Sequence, residues 1–287
     1  MLFDSIAEWF KTILIEGIIV NLDGLFDTVN GRVGQIANIV GKTPSSWNGT
    51  IYDIVHALSE YVILPIAGVI LTFVVCYELI QLVIEKNNMH EFDTWIFFKW
   101  FAKSAIAIII ITNTWNIVMG IFDVAQSVIA SASGYITGST NIDISSVTTD
   151  LAEQLQERDV GALLGLWFST LFISLSINIL TILIFLIVFS RMIEIYLMTS
   201  LAPIPFATFA NREWSAIGQN YVKSVLALAF QGFLIIVCVA IYAVLVQNIS
   251  FGGDIGGALW TCMGYTLLLC FALFKTGSLS KSIFAAH

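Results

Sequence analysis

The residue with the most chemical potential is Glu78, a carboxylate inside a long apolar run. Ionisable side chains at such positions are costly in lipid and mark ion or proton pathways by default. Glu85 stands two turns further along the same helical face. In a ring of subunits, Glu78 would line a cation-attracting or proton-accessible constriction. The structural alternative is that it snorkels to the membrane surface or pairs with Lys103 or Arg191 on a neighbouring helix. A second constellation is Arg191 and Glu194, spaced i,i+3 so that they can pair on one helix face. They lead into Ala202-Pro203-Ile204-Pro205, where Pro203 and Pro205 break the helix. A polar return through Asn211-Arg212-Glu213-Trp214 follows.

Other patterns carry less. Gly41-Lys42-Thr43 matches the end of a phosphate-binding loop, but the glycine required five residues earlier is replaced by Ile36. His56, His90 and His287 lack the HExxH spacing of a zinc site. No GxSxG elbow is present. No catalytic, cofactor-binding or metal residue is therefore assigned. Cys76, Cys238, Cys262 and Cys270 all lie in apolar runs without a CxxC, and read as small hydrophobes between helices. Asn48-Gly-Thr50 and Asn248-Ile-Ser250 match the glycosylation acceptor, a pattern common by chance.

The elements that position these residues follow from composition. Of 287 residues, 58% are hydrophobic and only 11% charged, against roughly 25% charged in a soluble domain. Mean hydropathy is +0.90. These values exclude an ordinary cytosolic enzyme, a disordered chain and a disulfide-stapled secreted domain. They point to an all-α polytopic membrane protein. The net charge of −8 gives no lysine/arginine stripe for tight nucleic-acid binding. The first residues lack the positive region and cleavage site of a signal peptide.

Five runs are long and apolar enough to cross about 30 Å of hydrocarbon: 61–84, 102–124, 163–189, 222–246 and 256–274. Between them, basic residues alternate in abundance. Lys86, Lys99, Lys103, Arg191, Arg212, Lys223, Lys275 and Lys281 fall on one side; Arg158 sits on the other, in a loop with five acids. The positive-inside rule then predicts the N-terminus outside and the C-terminus in the cytoplasm. Splitting 163–210 at Arg191 would give six crossings and move four of those basic residues outside.

The predicted organisation is an extracytoplasmic amphipathic helical region over 1–53 and a transmembrane domain over 54–287. The latter carries an acidic external loop at 125–162 and a cytoplasmic elbow at 190–221. Within the first region, Ile6, Phe10, Ile13, Leu14, Gly17 and Ile18 share a helical face suited to a membrane interface. Leu22, Phe26, Val29, Val33, Ile36 and Val40 follow at alternating 4,3 spacing, a heptad-like seam. Two readings stand for it: an amphipathic surface helix, or contacts between subunits. In the external loop, Gly134 and Gly138–Asn141 read as turn, and Asp150 with Glu153 as the cap of a short helix over 151–158. Gly161-x-x-x-Gly165 and the glycines at 252, 253, 256 and 257 allow close helix crossings. No internal repeat is evident, which argues against an inverted-repeat transporter.

This layout, with the stretch from Arg191 to Pro205 (RMIEIYLMTSLAPIP), resembles the TrbL-like inner-membrane subunits of conjugative type IV secretion systems. The Asn211–Gln231 segment resembles members from Gram-positive integrative conjugative elements. The resemblance implies a homo-oligomeric ring, a pentamer, in the bacterial cytoplasmic membrane. It implies contacts with other secretion-system membrane subunits and ATPases, with lipid, and transiently with single-stranded DNA carrying its relaxase. It implies no catalytic motif and no cofactor. The acidic external loop departs from the basic lumen that DNA binding would need, so passage or scaffolding is expected rather than tight binding. Two rivals are a small-solute or proton-coupled transporter using Glu78, and an intramembrane enzyme.

Overall fold

The computed structural model describes residues 2–85, 94–136, 154–249 and 254–286. Among them all regular structure is helical: α1 Leu2–Val40, α2 Pro44–Trp47, α3 Gly49–Leu58, a π turn Ser59–Ile63, α4 Leu64–Glu85, α5 Thr94–Thr112, α6 Thr114–Ile136, α7 Val160–Ser200, α8 Pro203–Ala207, α9 Ser215–Gln247 and α10 Ile255–Ile283. Gly134, expected in a turn, lies within α6 instead; the rest of that turn, Gly138–Asn141, and the Asp150–Glu153 cap lie outside the described residues.

Among the described residues, six helical stretches are long and apolar enough to cross a membrane: Gly49–Ile84, Trp95–Thr112, Thr114–Gly134, Val160–Ala210, Ser215–Gln247 and Ile255–Ile283. The sixth arises because the expected span 102–124 is interrupted at Asn113. The cause is local. Thr112 Oγ1, Asn113 Nδ2 and Thr114 Oγ1 donate to the carbonyls of Ile108, Ile109 and Ile110 at 2.9, 2.9 and 3.1 Å. Three successive polar side chains thus compete with the backbone for its own acceptors. The chain does not turn back there. Trp100 Nε1 donates to the Val75 carbonyl at 3.0 Å, and fifteen residues on Trp115 Nε1 donates to Tyr52 Oη at 2.9 Å while its ring stacks on His56. Register thus runs steadily backwards along α4 and α3, so Asn113 is a kink in one antiparallel run. The alternative break at Arg191 does not occur, since α7 passes through it uninterrupted.

The chain divides into two compact units. The first comprises 1–41, 129–189 and 233–276. Its core joins Leu14, Ile18, Leu22, Leu25, Ile36 and Val40 of α1 to buried residues of α7, α9 and α10. Gly17 makes the approach of α1 to α7 possible, because a Cβ there would fall 2.7 Å from the Trp167 indole nitrogen. Lys11 Nζ donates to the Gln156 carbonyl and Asn21 to Thr170 Oγ1. The second unit comprises 42–128, 190–232 and 277–287. Its core joins α4, α5 and α6 to the end of α7, α8 and the start of α9.

This packing bears on the expected subunit contacts. Of the six seam residues, Leu22, Ile36 and Val40 are buried in the chain's own core, so that side of α1 is already covered. The side chains of Phe26, Val29 and Val33 lie outside the described residues. The amphipathic face also divides: Leu14 and Ile18 are buried, whereas Ile6, Phe10 and Ile13 remain exposed. Of the glycines expected to mark helix crossings, Gly256 faces Leu166 of α7, 3.9 Å from a Cβ position, whereas Gly165 has no neighbour within 4 Å and Gly161 and Gly257 meet only the nearby Asp159 and Asp254 side chains. Gly252 and Gly253 lie outside the described residues.

Replacing Leu22 with alanine should therefore act within one chain. It should cost about 2–5 kcal/mol and lower the thermal midpoint of the detergent-solubilised protein equally at low and high protein concentration. A loss that vanishes on dilution would identify Leu22 as a subunit contact instead.

Candidate functional site

In the second unit the long apolar helices give way to irregular backbone beside a buried carboxylate. Helix α7 ends at Ser200, and Pro203 opens α8 at a position whose N–H would lack a helical acceptor anyway. A 3₁₀ turn over Thr208–Ala210 follows, and then Asn211 in an extended conformation, φ −118° and ψ 141°. Helical bonding is interrupted here, so its peptide groups need partners.

Asn211 supplies them. Its Oδ1 accepts from the backbone N–H of Glu213 at 2.9 Å and of Trp214 at 3.2 Å, capping the return into α9. Its Nδ2 donates to Glu78 Oε2 at 2.7 Å and Gln81 Oε1 at 2.9 Å, both on α4. The other Glu78 oxygen accepts from Lys103 Nζ of α5 at 2.5 Å. The carboxylate is only 8% exposed and Asn211 only 1%. The Lys103 side chain is half-exposed, so the larger demand falls on the Asn211 side, where a hydrogen bond to a buried charged group is worth about 1.5–3 kcal/mol. Glu78 therefore pins three segments: α4, α5 and the elbow.

The remaining elbow contacts lock its path. Thr208 Oγ1 donates to the Pro205 carbonyl at 2.7 Å and accepts from the Gly218 N–H at 3.1 Å. A Cβ on Gly218 would stand 2.8 Å from the Pro205 carbonyl oxygen and 3.0 Å from the Phe209 ring. Tyr221 Oη donates to the Met198 carbonyl at 2.8 Å, taking up an acceptor in the last turn of α7. Tyr196 Oη donates to the Pro44 carbonyl at 2.6 Å, tethering α7 to α2. Ala202, Phe206, Ala207 and Ala210 pack with Ala67, Leu71 and Val74 of α4. The elbow, expected as a cytoplasmic projection, thus lies lengthwise on the first expected span. Its small apolar residues fit that groove, and protein cover is what irregular backbone at membrane depth requires.

Arg191 and Glu194 do not pair as expected. The Arg191 guanidinium is buried and donates from Nε to the Leu228 carbonyl at 3.4 Å and from Nη2 to the Ala229 carbonyl at 3.2 Å, both on α9. Its fork of donors suits two successive carbonyls. Glu194 instead meets Lys281 of α10 at 3.5 Å on the surface, where such a pair contributes about 1 kcal/mol or less. Ser280 Oγ donates to the Ala227 carbonyl beside it.

Of the expected site residues, Glu78 enters the clamp, and Pro203 and Pro205 shape the elbow that it holds. Arg191 fastens α7 to α9 nearby. Asn211, Gln81, Thr208 and Gly218 carry the geometry but are not singled out by spacing alone. Asn211 had a readable signal: an Asn shortly before a helix that starts at Ser215 is a capping pattern. Among the described residues no group of three or more potential metal ligands converges, and no buried side-chain nitrogen or oxygen lacks a partner. The arrangement can hold backbone and charge in place; it contains no nucleophile with an adjacent base.

Residues 29–203 match the family model described as TrbL/VirB6 plasmid conjugal transfer like protein. No curated protein and no solved structure matches the chain.

Asn211→Ala should destabilise the elbow by about 1.5–3 kcal/mol through the lost bond to the Glu78 carboxylate, with about 1 kcal/mol more from the lost cap. Limited proteolysis of the solubilised protein should then cut between residues 200 and 215, where the wild type resists. Gly218→Ala should produce the same cleavage, since its methyl group meets backbone rather than a movable side chain. Wild-type resistance in both variants would remove the clamp from the account.

Proposed function

Because the chain belongs to the TrbL/VirB6 plasmid conjugal transfer family, we propose that it is a structural channel subunit of the membrane platform through which a conjugative type IV secretion machine passes DNA with protein. Membership makes it a component of conjugal transfer. It sits in the bacterial cytoplasmic membrane with its N-terminus outside and its C-terminus inside, as the distribution of basic residues favours. Its partners are copies of itself in a ring, a pentamer, together with the scaffold subunits and ATPases of the machine. Single-stranded DNA and its relaxase pass transiently, without tight binding to so acidic a chain. It performs no chemistry of its own.

The observation that carries the oligomeric reading is the outward face of α7. Phe168, Phe172, Leu175, Ile179, Ile182, Leu186, Ile193 and Leu197 are all exposed along that single helix. At 1.5 Å per residue they extend over about 44 Å, against about 30 Å of hydrocarbon. Lipid covers two-thirds of such a face; a neighbouring protein surface suits the rest. The proton-coupled carrier reading relies on Glu78, whose two oxygens are engaged by Lys103, Asn211 and α4 packing rather than presented to a passage.

In mild detergent the purified protein should have the mass of a ring by light scattering; a single-subunit mass in every lipid tried counts against the platform. Replacing Pro203 and Pro205 together with alanine should lower transfer in a mating assay while leaving membrane insertion intact. Unchanged transfer would remove the elbow from the mechanism. Solute flux through the isolated protein, abolished by Glu78→Gln, would favour the carrier instead.

A further inference from the structure

A groove of about 350 Å³ lies between α5 and the elbow. Its floor and walls are Ala102, Ile106 and Ile110 of α5 and Phe209 of the 3₁₀ turn, and at one end stand Lys99 and Lys103. The α5 residues follow helical spacing, so cations and hydrocarbon form a single stripe with the charge confined to its N-terminal end. From Lys103 to Ile110 the apolar part runs about 10 Å along the helix. The opening sequence of α5, TWIFFKWFAK, interleaves aromatic rings with these lysines. Trp and Lys in that mixture are side chains that settle at the level of lipid headgroups. Trp100 is anchored there by its bond to the Val75 carbonyl.

We propose that this groove holds an anionic glycerophospholipid, its phosphate between Lys99 and Lys103 and one acyl chain along Ala102, Ile106 and Phe209. The charges fit. Lys103 uses one of its three donors on Glu78 and keeps two, and Lys99 lies 6.0 Å over the Trp95 ring. Glu78 cancels one of the two cations, which leaves an excess of one positive charge for a phosphodiester. The walls fit as well. Past the lysines a soluble phosphate compound would find only apolar side chains, whereas a lipid presents both a phosphate and a hydrocarbon in that order. A second copy of the chain could insert side chains but not a helix, whose diameter is about 10 Å, and apolar side chains would leave the lysines unanswered. Because Ala210 of the same groove adjoins the Asn211 clamp, the lipid would brace the elbow against α5. The inference does not depend on the platform reading.

The test uses the full-length protein in mild detergent, with phosphatidylglycerol or phosphatidylcholine of identical acyl chains added, read by native mass spectrometry and by thermal midpoint. Wild type should retain phosphatidylglycerol in preference to phosphatidylcholine and gain stability from it. Lys99→Gln should lower that preference about fivefold, the worth of one basic residue at an anionic membrane surface. Ala102→Trp, which fills the groove, should release both lipids while helical content stays at the wild-type level. An unchanged preference in Lys99→Gln overturns the proposal, and this variant alone decides it if Ala102→Trp does not fold. Retention of phosphatidylglycerol by folded Ala102→Trp also overturns it. So does glycerol phosphate raising the midpoint as much as the lipid, or Ala102→Trp altering the subunit count with lipid still bound.

Discussion

A single carboxamide holds this structure to its shape. Asn211 sits where a long apolar chain stops being helical, and its four hydrogen bonds serve two purposes at once. On one side it caps the backbone of the return. On the other it gives Glu78 the neutral donor that complements the Lys103 ammonium. Each half depends on the other. An uncapped return would leave peptide N–H groups without an acceptor in an apolar setting, at about 1 kcal/mol, and Glu78 without Asn211 would rely on Lys103 alone, at about 1.5–3 kcal/mol. The clamp therefore behaves as a unit, and the elbow is a rigid element rather than a loop.

That rigidity changes what the prolines mean. Pro203 and Pro205 do not send the chain into solvent; they shorten α7 so that the elbow can lie on α4. Thr208 and Gly218 then complete the turn by letting α9 approach the Pro205 carbonyl more closely than any side chain would permit. Arg191 fastens α7 to two carbonyls of α9 a few residues away. The break in the helices is thereby covered by the chain's own α4 and α9.

The first unit uses its apolar pattern differently. The seam on α1 carries the spacing of a subunit interface, yet its described residues close onto α7, α9 and α10 of the same chain. A heptad-like period states that a stripe will be covered; it does not state by what. Association, where it occurs, must draw on faces left over after this packing, and exposed apolar residues of α7 are among them.

Composition and hydropathy were enough to determine an all-α polytopic membrane protein, because apolar runs of this length have few alternatives to spanning a bilayer. The Arg191–Pro205 block was enough to suggest the family, and the prolines to mark a break. Glu78 could be named as exceptional, since a carboxylate in such a run must be answered by something. What answered it was decided only in three dimensions: Asn211 is more than a hundred residues away in sequence, and no local spacing links it to Glu78. The partners of Arg191 escaped for the same reason, since a guanidinium chooses among carbonyls by proximity across helices rather than by interval along one. Periodicity and composition act through local geometry and total apolar area, which a sequence displays. The pairing of buried polar groups depends on which helix faces meet, and that is settled only when the chain has packed.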